Sequence, residues 1–272
     1  MSAWKARARR VVMALAPPPA RLPAEFHLQR RIGKLDPTLA RIALGRRLPG
    51  RAIDAGANTG AYTYAFSRVF DRVEAFEPQP ACAKIVEQYA RGCDRVRVHR
   101  FGLSDRAGHA TLHVPVVASR FGTHLASGLA SLAPPEGFRS RTFAIDLVPL
   151  DAFGFDDVAA LKIDVEGHEH AVLAGARETI ARTKPLLIVE IEQRHLPPGV
   201  AMADLFGDLA DRGYRGWFFR DGAVEPVGSF RVERDQLPFV ATIERGEAAP
   251  GYINNFVFEP VASAAPNLFA LA

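Results

Sequence analysis

The chain has 272 residues, 48% hydrophobic and 24% charged, which excludes a disordered polypeptide and a collagen-like repeat. Its two cysteines, Cys82 and Cys93, cannot build a disulfide scaffold or a Cys-rich zinc site, and no apolar run approaches the ~20 residues of a membrane span. The net charge of +4 is uneven: residues 1–47 hold eleven Lys/Arg against Glu25 and Asp36, a net +9, so the rest of the chain carries −5.

A basic arm on a mildly acidic body is a different object from a nucleic-acid binder, and no nucleic-acid partner is expected. The arm reads as a solvated terminus, or as a contact for an anionic membrane surface or an acidic partner. Residues 1–50 lack strand alternation and are broken by proline at 17–19, 23, 37 and 49. They are predicted to be a helical, loosely attached extension. The Val11–Ala16 run is too short for a secretion signal and ends in prolines. With the free cysteines, this gives an expected cytoplasmic location.

From Arg51 onward strands alternate with helical stretches, the grammar of parallel βαβ units. Ala52–Ala55 reads as the first strand. The next helix carries Tyr62, Ala65, Phe66 and Val69 on one face. Val73–Glu77 is the second strand. After the turn Pro78-Gln79-Pro80, a helix sets Cys82, Ile85, Val86 and Tyr89 on one stripe, so Cys82 reads as core filling. Val96–Phe101 is the third strand.

Residues 109–140 have another grammar and read as an insertion. Ala110, Leu112, Val114 and Val116 alternate with His109, Thr111, His113 and Pro115, a half-exposed strand that Pro115 places at an edge. Residues 118–137 read as a long loop of the kind that forms lids, and Arg141–Val148 as a returning partner strand. The alternation then resumes with a strand at Ala160–Val165, a helix at Glu169–Arg182 and a strand at Leu186–Ile191. A helix through Met202, Leu205, Phe206 and Leu209 follows, and strands at Gly216–Phe219 and Phe256–Phe258 close the sheet. The predicted fold is a doubly wound, mostly parallel α/β sheet of Rossmann-like type over residues 51–260, with a tail at 261–272.

In such sheets ligands bind outside the carboxyl ends of the strands. The first strand runs into Asp54-Ala-Gly56-Ala-Asn58-Thr-Gly60 and then a helix, whose free N–H groups face the site. Asn58 stands where a dinucleotide fingerprint needs its second glycine, which suits an adenosyl ligand without phosphates better than a nicotinamide dinucleotide. Glu77 ends the second strand 21 residues after Gly56, the spacing of an acid that accepts ribose hydroxyls. Leu103 is placed to pack on an adenine, with Ser104 or Asp105 at its amine. The block Leu161-Lys-Ile-Asp164-Val-Glu166-Gly-His168-Glu169 puts charges into an apolar strand end, which is costly without a purpose. Asp54, Glu77, Asp164, Glu166, Glu190 and Glu192 are expected to gather on one rim, which repels phosphate and favours a cationic ligand, a polyol or a divalent metal.

The Asp54–Gly60 loop, Phe76-Glu77-Pro78, Ser127-Gly-Leu-Ala-Ser131, Leu150-Asp151, the Lys162–Glu169 block and Val189-Glu190 together resemble the FkbM-type methyltransferases over about residues 50–195. The resemblance implies a class I fold, S-adenosyl-L-methionine as cofactor, and O-methylation of a hydroxyl on a sugar, glycan or natural product. It assigns Asp54, Gly56 and Gly60 to the cofactor loop, Glu77 to the ribose, and Asp164 and Glu166 to the catalytic face. An alcohol acceptor needs a base within ~2.6–3.2 Å of its proton, and Asp164, His168 and His195 are the candidates. A divalent ion on Asp164, Glu190 and Glu192 would serve the same end but is not expected. Phe121, Phe138, Trp217 and Phe218 are candidates to stack on a sugar, although strand-borne Trp217 and Phe218 read first as core. The rival readings are a nicotinamide-dependent oxidoreductase and a non-catalytic module that binds a glycan or partner.

Overall fold

The computed structural model describes residues 16–31, 35–42, 45–119, 122–134, 139–244 and 249–261. Residues 1–15, Phe121, Phe138 and the tail beyond Val261 lie outside these, and so do the expectations placed on them.

Two helices, α1 (Pro18–Arg31) and α2 (Pro37–Ile42), precede the sheet. They are not loosely attached. Leu22, Phe26, Leu39 and Ile42 are each at most 4% exposed and join Tyr64, Phe66, Phe70 and Val73 in one core cluster. Four large apolar side chains gain more from burial than the surrounding basic residues lose, and the proline pattern gave no sign of this.

The βαβ units then follow: β1 (Leu48–Ala55), α3 (Ala61–Val69), β2 (Phe70–Phe76), α4 (Pro80–Ala90) and β3 (Val96–His99). The expected third strand is two strands. His99 stacks on Phe76 with ring centroids 4.5 Å apart and ends the pairing with β2. After Arg100 the chain crosses into β4 (Phe101–Leu103), which pairs instead with β7 (Ser140–Val148). Between them lie β5 (Gly108–Ser119) and β6 (Gly122–Leu125), giving a second sheet in the order β4-β7-β5-β6. The expected long loop is therefore partly strand. Nor is β5 an edge strand, but Pro115 is accommodated: Val116 N–H bonds toward β7 and His113 N–H toward Ser131 on the other side. By alternation, the N–H that Pro115 lacks would face that sparsely paired side.

The main sheet resumes with β8 (Val158–Ile163), α5 (Glu169–Gly175), α6 (Arg177–Thr183) and β9 (Leu186–Glu190). The predicted single helix breaks at Ala176. Gly175 lies against the Ser104 carbonyl, so closely that a Cβ would stand 1.9 Å from it. Asp151 then accepts the N–H groups of Glu178 and Thr179 at 3.0 and 2.8 Å and starts the second helix. The remaining elements are α7 (Met202–Asp211), β10 (Tyr214–Arg220), β11 (Ala223–Pro226), α8 (Val232–Asp235), α9 (Val240–Glu244) and β12 (Asn255–Pro260).

The eight strands run β11-β10-β12-β9-β8-β1-β2-β3. The five from β9 to β3 are parallel, and β12 enters antiparallel beside β9. This is the predicted doubly wound α/β class. Phe218 is fully buried against Phe230 and Phe256, and Trp217 donates its indole N–H to Glu259. Phe218 is a packing residue, and neither side chain lines the cavity described below. Among the described residues no helix is long and apolar enough to cross a membrane.

Candidate functional site

The carboxyl ends of β1, β2, β8 and β9 open onto a cavity of about 320 Å³. Gly56, Asn58, Phe76, Glu77 and Pro78 line one side, and Asp164, Val165, Glu166, His168 and Glu190 another. The second sheet supplies an apolar wall of Leu112, Ile145 and Leu147 beside Gly102 and Leu103, and the Ser127–Leu132 segment crosses near Asn58 and Glu166. The insertion is thus a wall of the site, with Ser131 Oγ–H donating to the Glu166 carbonyl at 2.8 Å.

The loop after β1 is built around left-handed residues. Gly56 has φ +73°, and a Cβ there would stand 1.9 Å from the Asp164 carbonyl oxygen. Asn58, with φ +49°, takes a conformation its residue type tolerates better than most. Its N–H donates to Glu77 Oε2 at 2.6 Å, while Gln79 N–H donates to Oε1 at 2.8 Å. Two backbone donors therefore fix the Glu77 carboxylate in plane, leaving further lone pairs on each oxygen for a ligand. Cys82 packs behind this loop, its thiol donating to Gln79 Oε1 at 2.7 Å, and burial pushes it up to about 11. It is an inert thiol, as the helix stripe indicated.

Beneath the loop lies Lys162, 4% exposed. Its ammonium donates to the Gly56 carbonyl at 2.7 Å and to the Ala55 carbonyl at 3.3 Å, and pairs with Asp164 at 3.2 Å and Asp54 at 3.4 Å. Burial lowers its proton affinity, but the Asp164 and Asp54 carboxylates outweigh burial and hold it at about 12. Asp54 accepts Thr63 Oγ1–H at 2.6 Å and is fully buried. It braces the loop from below and does not line the cavity.

Carboxylate oxygens of Asp164, Glu166 and Glu190 lie within 4.8 Å of one another. Glu192, grouped with them from the sequence, is held instead by Arg194 and Tyr252, while Asn254 donates chiefly to Glu190 at 2.5 Å. Those bonds overcome burial and hold it below the usual carboxylate range. It does not complete a ligand set with Asp164 and Glu190. Glu169 accepts the N–H groups of Val165 and Gly167 through Oε1 and so shapes the turn after β8.

Of the other predicted residues, Leu103 lines the cavity. Ser104 stands beside it and shares a 2.9 Å hydrogen bond with His168 Nε2, while Asp105 is an exposed partner of Ser104. His168 faces the cavity at the head of α5, and burial and His170 lower its proton affinity. His195 is absent from the lining and packs on Gly167, 3.3 Å from where a Cβ would be. Gly60 packs under Leu22 of α1. Sequence reasoning gave no site role to Lys162, Glu169, or the wall residues Leu112, Ile145 and Leu147. For Lys162 the signal was present, a lysine inside a buried strand.

The residues fit S-adenosylmethionine. Glu77 presents oriented acceptors where a ribose needs them, Leu103 offers an apolar face, and the carboxylate trio suits a positive charge.

Burial, reinforced by Asp164, Glu192 and Glu169, raises the Glu166 carboxyl to about 9, and raises Glu77 and Glu169 to about 7 against their backbone hydrogen bonds. Such an acid keeps a proton in the folded state that the unfolded chain releases near pH ~4.5, so stability falls as pH climbs toward the raised value. Glu166→Gln is expected to stabilise the free protein at pH 8 by on the order of 2 kcal/mol, or ~4–8 °C in Tm. The two proteins should melt together near pH 4. Thermal unfolding at both pH values checks this, and an equal gain at both would assign the effect to something other than the proton.

A family profile described as the Methyltransferase FkbM domain matches residues 54–215. Among solved structures, methyltransferase FkbM from Methylobacillus flagellatus is 16% identical with a TM-score of 0.48, covering 94% of this chain and 59% of that one. This chain thus spans about 59% of the length of that protein. An rRNA methylase from Streptococcus thermophilus is 11% identical, with a TM-score of 0.44 and coverage of 82% and 94%. A Streptococcus mutans protein in complex with SAH is 8% identical, with a TM-score of 0.43 and coverage of 82% and 95%. No curated protein matches the chain. The family match displaces the oxidoreductase reading. With well over half its length in the matched domain, the chain belongs to the FkbM methyltransferase domain family, whose cofactor is S-adenosylmethionine.

Proposed function

We propose that the protein methylates a hydroxyl of a sugar, glycan or natural-product acceptor. The observation that carries this is the polarity of the cavity: acceptor-rich at Glu77 and the carboxylate trio, apolar along the second sheet. The cofactor, when bound, supplies a methyl group already activated on a sulfonium, so the chain contributes mainly alignment and proton handling. In this reading Glu77 takes the ribose hydroxyls, Leu103 and Ser104 flank the adenine, and the trio faces the cationic end.

Asp164 is the base. It lines the cavity within the trio, and Lys162 fixes its orientation at 3.2 Å. His168, bonded to Ser104 on the Leu103 side, flanks the cofactor instead, and His195 does not line the cavity.

A methyl-transfer assay over sugars, glycolipids and hydroxylated small molecules tests the proposal, run with and without chelator. Labelled O-methyl product is expected, falling ~100-fold or more in Asp164→Asn, the scale of a lost general base. His168→Ala should retain most of the activity. Methylation confined to nitrogen or carbon acceptors would overturn the acceptor class. Full activity in Asp164→Asn would overturn the base.

A further inference from the structure

We infer that Lys162 is a positioning residue that clasps the two halves of the donor pocket, holding the Gly56 carbonyl of one and the Asp164 carboxylate of the other on a single buried ammonium. The inference rests on the donor-binding reading above and adds a determinant to it.

A lysine is rarely this buried unless its charge and donors are used. Here every donor has a destination. Gly56 and Ala55 carbonyls, Asp54 and Asp164 all lie within 3.4 Å of Nζ, and the Tyr62 ring centroid lies 5.5 Å away. If the lysine served only to neutralise Asp54, one partner at the strand centre would suffice. Instead Nζ makes its shortest contact with a loop carbonyl at the mouth of the pocket. That carbonyl belongs to the residue where the backbone turns left-handed. Fixing it fixes the direction of the following N–H groups, including the one from Asn58 that orients Glu77. The same ammonium holds the Asp164 carboxylate at 3.2 Å, on the acidic side shared with Glu166 and Glu190. One cation therefore sets the distance between the ribose end and the acidic end.

Removing one member of a buried charge pair strands the other, whereas replacing both is tolerated far better. The test therefore compares Lys162→Met with the double variant D54N/K162M. S-adenosylhomocysteine binding is read by calorimetry, and amide hydrogen exchange is followed along the ligand-free chain. The single variant is expected to lose much of its stability. The double variant should unfold cooperatively with a Tm close to that of the starting protein, yet bind S-adenosylhomocysteine at least ~30-fold more weakly. Its exchange should rise more than ~10-fold at residues 56–60, with β1 and β8 still protected.

Wild-type affinity and unchanged loop exchange in the double variant would overturn the inference. So would exchange rising throughout the sheet, or a double variant that no longer unfolds cooperatively, since either makes Lys162 a core ion-pair member alone. Failure of the unmodified protein to bind S-adenosylhomocysteine would instead count against the donor reading itself.

Discussion

Gly56→Ala is expected to cost more than ~4 kcal/mol of stability, a loss reserved for a few identifiable mechanisms. Two of them coincide here. The residue has φ +73°, where an L side chain adds ~1–2 kcal/mol. The added Cβ would also stand 1.9 Å from the Asp164 carbonyl oxygen and 3.0 Å from its carbon. Those atoms cannot retreat, because Asp164 N–H is bonded to the Ala55 carbonyl and its side chain to Lys162. In a domain of this size the midpoint should fall by ~8–16 °C. Gly154→Ala is the control: φ is +61°, but nothing lies within 4 Å of the new Cβ. It should cost only the ~1–2 kcal/mol of the backbone conformation. Similar losses at both positions in urea unfolding would mean that the close approach of β1 and β8 is not what excludes a side chain from residue 56.

Glu77→Ala is expected to weaken S-adenosylhomocysteine binding by ~100-fold or more. Hydrogen bonds to a charged group contribute about 1.5–3 kcal/mol each, and two ribose hydroxyls at the low end give ~3 kcal/mol, a factor of ~100. The variant also leaves Asn58 and Gln79 N–H without acceptors, which costs stability as well. Glu77→Gln separates the two effects. Its single carbonyl oxygen can serve one N–H, so most of the fold's stability should return while affinity stays ~10-fold or more below the starting protein. Calorimetry with thermal unfolding on the same samples decides it. Affinity restored in full by glutamine would show that the charge at 77 is not used.

Much of this site could be read from the chain because its residues report on short-range geometry. The loop from Asp54 to Gly60, Glu77 at its fixed interval and the Lys162–Glu169 block each sit where a strand hands over to a helix. Hydrophobic periodicity locates such junctions without three-dimensional information. What escaped was long-range. Nothing near Asp54 says that it turns down to Thr63 and Lys162 instead of up to the ligand. Glu192 looks equivalent to Glu190 until Arg194 and Tyr252, the latter sixty residues later, draw it aside. Leu112, Ile145 and Leu147 read as ordinary strand residues, and only the departure of β4 from the main sheet makes them a cavity wall. Leu22 and Phe26 were hidden by the basic residues around them.

The clasp beneath the glycine loop joins residues 106 positions apart, whereas Glu77 meets Asn58 across only 19. Closing a long loop is entropically costlier than closing a short one, and contacts of large sequence separation slow folding. As the chain leaves the ribosome, Asn58 and Glu77 emerge together in the first βαβ unit, but the lysine that holds the Gly56 carbonyl arrives only with β8. The acidic half must wait until β8 has been synthesised and has inserted beside β1. Competence to hold the cofactor should therefore emerge with the slowest refolding phase, so that ligand capture times the completion of the sheet.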